Sequence, residues 1–125
     1  MLGLSYQNAF LTIGTTELTK LVDFYCQLFN QQPQTYLPQV YAEFQLQGLR
    51  LGIFQPKEDH RQEFIHGHGS TMSLCLEVDN LEEAVALLTT LGYAPPGTIL
   101  DTSHGREIYA YDPMGNRLIL HQCNI

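Results

Sequence analysis

Basic side chains are scarce in this sequence: six Lys and Arg stand against thirteen Asp and Glu, for a formal net charge of −7. No segment carries a basic stripe, which argues against a phosphate-backbone partner, because such binding runs on clustered Lys and Arg. An acidic balance is compatible with a cationic guest and serves equally as a solubility device. Cysteine is sparse too. Cys26, Cys75 and Cys123 form no CxxC pair and no framework spacing, so reduced thiols in a cytoplasmic protein are expected. No apolar run approaches the roughly 20 residues of a membrane span. The opening MLGLSYQNAFLTIG lacks the basic region of a secretory leader. The expectation is a soluble cytoplasmic protein whose partners include neither nucleic acid nor membrane.

What is present is a repeat. The 125 residues suit one domain, 1–125, and the 44% hydrophobic and 15% charged content is ordinary for a globular chain. Displaced by 63 positions, Leu11, Ile13, Leu18, Val22, Phe24, Tyr25 and Leu28 fall on Leu74, Leu76, Leu81, Val85, Leu87, Leu88 and Leu91. Displaced by 67, GLRLGIFQ (Gly48 to Gln55) falls on GNRLILHQ (Gly115 to Gln122). The change of offset means only that the intervening hairpins differ in length. A duplicated βαβββ unit accounts for both matches: a first module over about 8–56, a polar linker over about 57–70, and a second module over about 71–122.

Each half opens with an alternating strand, Ala9 to Gly14 and Met72 to Val78, followed by a helix. Thr15 or Thr16 is placed to cap the first helix. Asp79 or Asn80 is placed to cap the second, with Glu82 and Glu83 positioned for a capping box and Gly92 ending it. A two-residue turn at Gln47-Gly48 sets Leu46 opposite Leu49 and Phe44 opposite Leu51. The period of two then assigns faces. Ala42, Phe44, Leu46, Leu49, Leu51, Ile53, Ile108, Ala110, Leu118 and Leu120 face the helices. Tyr41, Glu43, Gln45, Arg50, Gly52, Phe54, Tyr109, Tyr111, Arg117, Ile119 and His121 face away. Two such sheets side by side would curve into a cup with aromatic walls and a few polar groups, the usual form of a small-molecule site.

The segments TTELTKLVDFY (Thr15 to Tyr25), LEVDNLEEAVALL (Leu76 to Leu88) and YDPMGNRLIL (Tyr111 to Leu120), in this order and duplicated, resemble the vicinal-oxygen-chelate (glyoxalase/bleomycin-resistance/dioxygenase) superfamily. The last is similar to that family's DPxGN turn and final strand. The resemblance implies an α+β fold of two tandem βαβββ modules forming a curved mixed-sheet cup. In metal-using members a His, Gln or Glu stands on each module's first strand and a Glu or similar group on its last. The motifs set those positions at Phe10, Gly52, Ser73 and Ile119. None of these side chains is a ligand for a divalent ion, which needs imidazole, carboxylate or thiolate donors. The chain therefore looks like the metal-free branch, which includes the bleomycin-resistance proteins: no cofactor, no metal, a small organic ligand held in the cup, and a homodimer.

The candidate contacts are Tyr109, Tyr111, Arg50, Phe54, Glu77 and His121. Tyrosine offers a rigid apolar face and one hydrogen bond, and it serves equally as cup filler. His121 suits a general base or a ligand donor, or a histidine merely hydrogen-bonded near the edge. Glu43 and Glu77 are expected to pair with Arg50 and Arg117, since buried carboxylates need partners. Together with His121 they are also the components of an unorthodox metal or acid–base site. Cys75 reads as a small buried thiol, and the His66–His68 pair as part of a solvated loop. The alternative function is a lyase, isomerase or dioxygenase-type enzyme using an atypical metal site or His121/Glu77 acid–base chemistry. A third is a filled cup whose fold only mediates association.

Overall fold

Each half of the chain builds one four-stranded sheet backed by one helix. A computed structural model describes residues 3–65 and 70–124. The first half contains β1 (Leu11–Gly14), α1 (Leu18–Phe29), β2 (Thr35–Leu37), β3 (Tyr41–Leu46) and β4 (Leu49–Phe54). A 3-10 helix, Glu58–Phe64, follows. The second half contains β5 (Leu74–Glu77), α2 (Leu81–Leu91), β6 (Leu100–Thr102), β7 (Gly105–Tyr111) and β8 (Arg117–Cys123). The sheets have the orders β1-β4-β3-β2 and β5-β8-β7-β6. In each, the first strand lies parallel to the last and the other pairs are antiparallel. The fold is α+β with two tandem modules, and neither sheet closes on itself.

The duplication survives in the pairing. Leu11 stands beside Leu51, and Leu74 beside Leu118, reproducing the displacements of 63 and 67. The hairpin register is as the turn at Gln47-Gly48 predicts, with Leu46 opposite Leu49 and Phe44 opposite Leu51. Gly48 takes the left-handed φ of 82° that this turn requires. The opening strands are shorter than their alternation suggests, because pairing stops where β4 and β8 leave their turns. The helix-facing set is buried as expected: Ala42, Phe44, Leu51, Ile53, Ile108, Ala110, Leu118 and Leu120 join Leu18, Leu21, Val22, Phe24 and Tyr25 of α1 and Leu81 and Leu88 of α2.

The helix ends divide. Asn80 caps α2 by accepting from the Glu83 N–H at 2.9 Å, and Gly92 ends it. At α1 neither threonine caps. The Thr15 hydroxyl, two residues before the N-cap position, accepts from the Glu17 N–H at 3.0 Å, and the helix begins after Glu17 without a side-chain cap. Glu82 leaves the capping role for a two-pronged ion pair with Arg106 at 2.6 and 2.9 Å. The hydrogen bonds from Arg106 hold the Glu82 carboxyl down to about 2.

A buried contact ties the modules together. The Tyr25 hydroxyl on α1 donates to Asp112 at 2.7 Å, across 87 residues. Asp112 also accepts from the Met114 and Asn116 N–H groups and the Asn116 side-chain amide, so it organises the turn between β7 and β8. Phe24 meets Tyr93 edge-on at 5.3 Å beside it. Burial, and then the charge of Asp112, push the Tyr25 phenol well above its ordinary range. A phenol raised on folding stabilises fully below its unfolded value, about 10, and loses that contribution as pH climbs through its folded value. Tyr25→Phe should cost about 1 kcal/mol at neutral pH. Its stability should also fall less steeply above about pH 10. Urea unfolding at stepped pH checks this, and an alkaline limb as steep as the parent's contradicts it.

Candidate ligand site

The fronts of the two sheets, away from the helices, differ in how far they are occupied. On the first sheet the chain covers itself. Arg50 lays its guanidinium on the Phe10 ring, 4.1 Å from the centroid, and its buried Nε has no hydrogen-bond partner among the described residues. Tyr41 lies over Gly52, where an added methyl group would sit 2.8 Å from its hydroxyl. That hydroxyl donates to Glu43 at 2.7 Å, and burial raises the phenol's pKa. Phe64, from the 3-10 helix, lies on Gly14 and meets Phe54 edge-on at 5.2 Å. The linker expected to be a polar connection thus contributes a ring to the front of the first sheet. Its His66–His68 pair lies outside the described residues.

The second sheet is more open. Tyr109 is 43% exposed and stands opposite Ile119, while Tyr111 stands opposite Arg117. Leu100 of β6, also exposed, shares the face through its pairing with Glu107. One step along the ladder Glu107 stands opposite His121, and Glu77 lies beside His121 on the other side. His121 Nδ1 is 2.9 Å from Glu77 Oε2, and the Cys123 thiol donates to the same oxygen at 3.3 Å. Hydrogen bonds from His121, and then from Cys123, lower the Glu77 carboxyl, while the bond to Glu77 raises the Cys123 thiol. The end of β8 is held from behind: the Gln122 side chain accepts from the Leu81 N–H at 2.7 Å and from Arg106 at 3.3 Å. With Gln122 turned toward the helix, its neighbours His121 and Cys123 both face forward.

The six candidate contacts therefore do not line one cavity. Tyr109, Tyr111, Glu77 and His121 share the front of the second sheet, whereas Arg50 and Phe54 belong to the first. Phe54 borders a hollow of about 490 Å³ with Val40, Tyr41, Pro56 and Phe64. A cleft of about 210 Å³ runs between the modules, lined by Thr12, Gly14, Phe64, Ser73, Asn116 and Arg117, none of them a candidate contact.

Three expectations need correction. Glu43 and Glu77 do not pair with Arg50 and Arg117: Glu43 takes Tyr41, and Glu77, on an exposed edge strand, takes His121. Arg50 turns to Phe10, and Arg117 donates to Ser73 Oγ at 3.1 Å. Cys75 is exposed rather than buried, because it stands on the front of β5, which is the edge strand of its sheet. The period of two from Ile119 through His121 to Cys123 places all three on one face, so Cys123 joins the front of the second sheet.

Two open four-stranded sheets, each with an apolar back on a helix and a polar–aromatic front, define a two-module α+β scaffold. Residues 8–120 match the model of the Glyoxalase/Bleomycin resistance protein/Dioxygenase superfamily, and the chain belongs to that superfamily. Solved structures with this fold include a bleomycin-binding protein complexed with bleomycin (TM-score 0.68, 19% identity, covering 95% of this chain and 100% of that one). The fosfomycin resistance protein FosX of Listeria monocytogenes gives a TM-score of 0.74 at 17% identity, covering 98% and 97%. A family enzyme from Burkholderia phytofirmans PsJN gives 0.77 at 17%, covering 92% and 97%. At these identities the likeness is one of fold. No curated protein matches the chain. Among the described residues no helix is long and apolar enough to cross a membrane.

Proposed function

We propose that the protein binds a small organic molecule against the front of the second sheet, with no ion at the four positions that carry ligands in metal-using relatives. The observation that carries this reading is the open face around Tyr109 and Tyr111, where the family's ligand position on the last strand is Ile119. Phe10, Gly52 and Ser73, at the other three, offer no imidazole, carboxylate or thiolate. Phe10 lies under Arg50 and Gly52 under Tyr41, so a donor introduced there would meet an occupied surface. Tyr109 and Tyr111 form the binding surface, with Glu77 and His121 at its far end; Arg50 and Phe54, on the first sheet, pack against Phe10 and Phe64 and stand apart from it. Leu37, Leu100, Phe10 and Tyr109 leave exposed apolar area on both fronts, which suits a homodimer whose second copy covers the guest. Three free thiols accord with a cytoplasmic setting.

Thermal-shift screening of planar cationic compounds tests the reading. At least one compound should stabilise the protein, and Tyr109→Ala should weaken its binding about tenfold, the loss of one aromatic contact. A screen without stabilisers, or a stabiliser indifferent to Tyr109→Ala, contradicts it. The Glu77–His121 contact favours a second reading, a lyase, isomerase or dioxygenase-type enzyme using this pair as acid and base. Turnover that is lost in both Glu77→Gln and His121→Gln would establish that reading.

A further inference from the structure

We propose that Glu77, His121 and Cys123 form a three-donor site for a zinc-like divalent cation, distinct from the four positions that the family resemblance marks. Among the described residues they are the only group of three His, Cys, Asp or Glu side chains whose donor atoms lie within 4.8 Å of one another. The donors are of three kinds and converge from two strands. Glu77 lies beside His121 in the parallel register of β5 and β8, and Cys123 is two residues further along β8 on the same face. Ser73 is four residues before Glu77 and Ile119 two before His121, so the cluster sits further along both strands than the family positions do.

The distances suit a tetrahedral cation. Oε2 to Nδ1 is 2.9 Å, Sγ to Oε2 is 3.3 Å and Sγ to Nδ1 is 4.0 Å. Zinc bonds of about 2.3 Å to sulphur and about 2.0–2.1 Å to nitrogen and oxygen give tetrahedral edges of about 3.3–3.6 Å. Side-chain adjustments of about half an ångström reach that figure without moving the strands. One carboxylate and one thiolate neutralise a divalent ion, and the thiolate–imidazole pair selects zinc-like metals over magnesium or calcium. On binding, the thiol proton leaves to solvent. The neutral imidazole carries its proton on Nε2, freeing Nδ1 as the donor. The bonds that hold the three side chains together in the metal-free protein are exchanged for bonds to the ion. Glu77 and Cys123 are exposed, so the fourth position opens outward, as in zinc sites with three protein ligands.

The site goes beyond the proposed function and does not rest on it. The test is titration of Co²⁺ and then Zn²⁺ into the tag-free, chelator-stripped chain. One Co²⁺ per chain should bind with a thiolate-to-cobalt charge-transfer absorption, and Zn²⁺ should displace it. Cys123→Ser should abolish the absorption, and Glu77→Gln should weaken Zn²⁺ binding at least tenfold, each with an unchanged far-ultraviolet spectrum. Cys75→Ser and the double variant His66→Gln/His68→Gln should bind as the parent does. Absence of stoichiometric uptake overturns the proposal, as does absorption that survives Cys123→Ser or vanishes with Cys75→Ser. Tyr109→Ala should keep the cobalt absorption while weakening the organic stabiliser, so failure of one reading is separable from failure of the other.

Discussion

Asp112→Ala is expected to lower the unfolding free energy by about 3–4 kcal/mol, a large share of the total for a domain of this size. The carboxylate is buried and accepts from the Tyr25 hydroxyl, two backbone N–H groups and the Asn116 amide. Truncation leaves these donors without their acceptor in a place where water does not readily replace it. It also cuts the polar tie between α1 and the second module. Urea unfolding measures the loss, and Asp112→Asn, which keeps one acceptor oxygen, should recover part of it. A loss below about 1 kcal/mol, the scale of an ordinary surface change, contradicts the role assigned to this carboxylate.

The second large effect is expected at Gly105→Ala. Gly105 begins β7 with φ at 153°, and an added methyl group there would collide with the Gln122 carbonyl oxygen on β8. Backbone meets backbone, so no rotamer relieves the clash, and the two strands must part. We expect a cost of about 3 kcal/mol or more, read by urea unfolding. Gly48→Ala is the control. Gly48 also has a positive φ but faces open space, so only the left-handed penalty of about 1–2 kcal/mol applies. Equal costs at the two glycines contradict the close approach. Because Gly105 stands opposite Cys123, its substitution should also disturb the Glu77–His121–Cys123 cluster.

Much of the fold is legible in the sequence because each strand has one buried face. Alternation in YAEFQL and LRLGIF assigns that face, and the turn between them fixes the register that the structure shows. The duplicated spacing adds the division into two modules, and the family resemblance adds the mixed sheets; the parallel register of the first and last strands is seen only in the structure. Other features depend on where side chains go once the backbone is set. Tyr25 and Asp112 are 87 residues apart, and neither residue type signals a partner. Arg50 can reach Glu43 or Phe10 from the same face, and the structure takes Phe10. The 3-10 helix carrying Phe64 lies in a polar segment with no apolar period, so nothing local announces its ring against Gly14. Leu74 and Leu76 point to the core and suggest burial for Cys75 between them, but alternation turns Cys75 to the front of an edge strand, where it is exposed. The alternation along RLILHQC that turns His121 to the front turns Cys123 there too, so this thiol's place is legible in the sequence.

The most direct test of the central claim is calorimetric titration of the tightest organic stabiliser into chelator-treated protein. The organic molecule should still bind the chelator-stripped protein, and more weakly after Tyr109→Ala. Binding that disappears on chelation and returns with added Mn²⁺ or Zn²⁺ would contradict it.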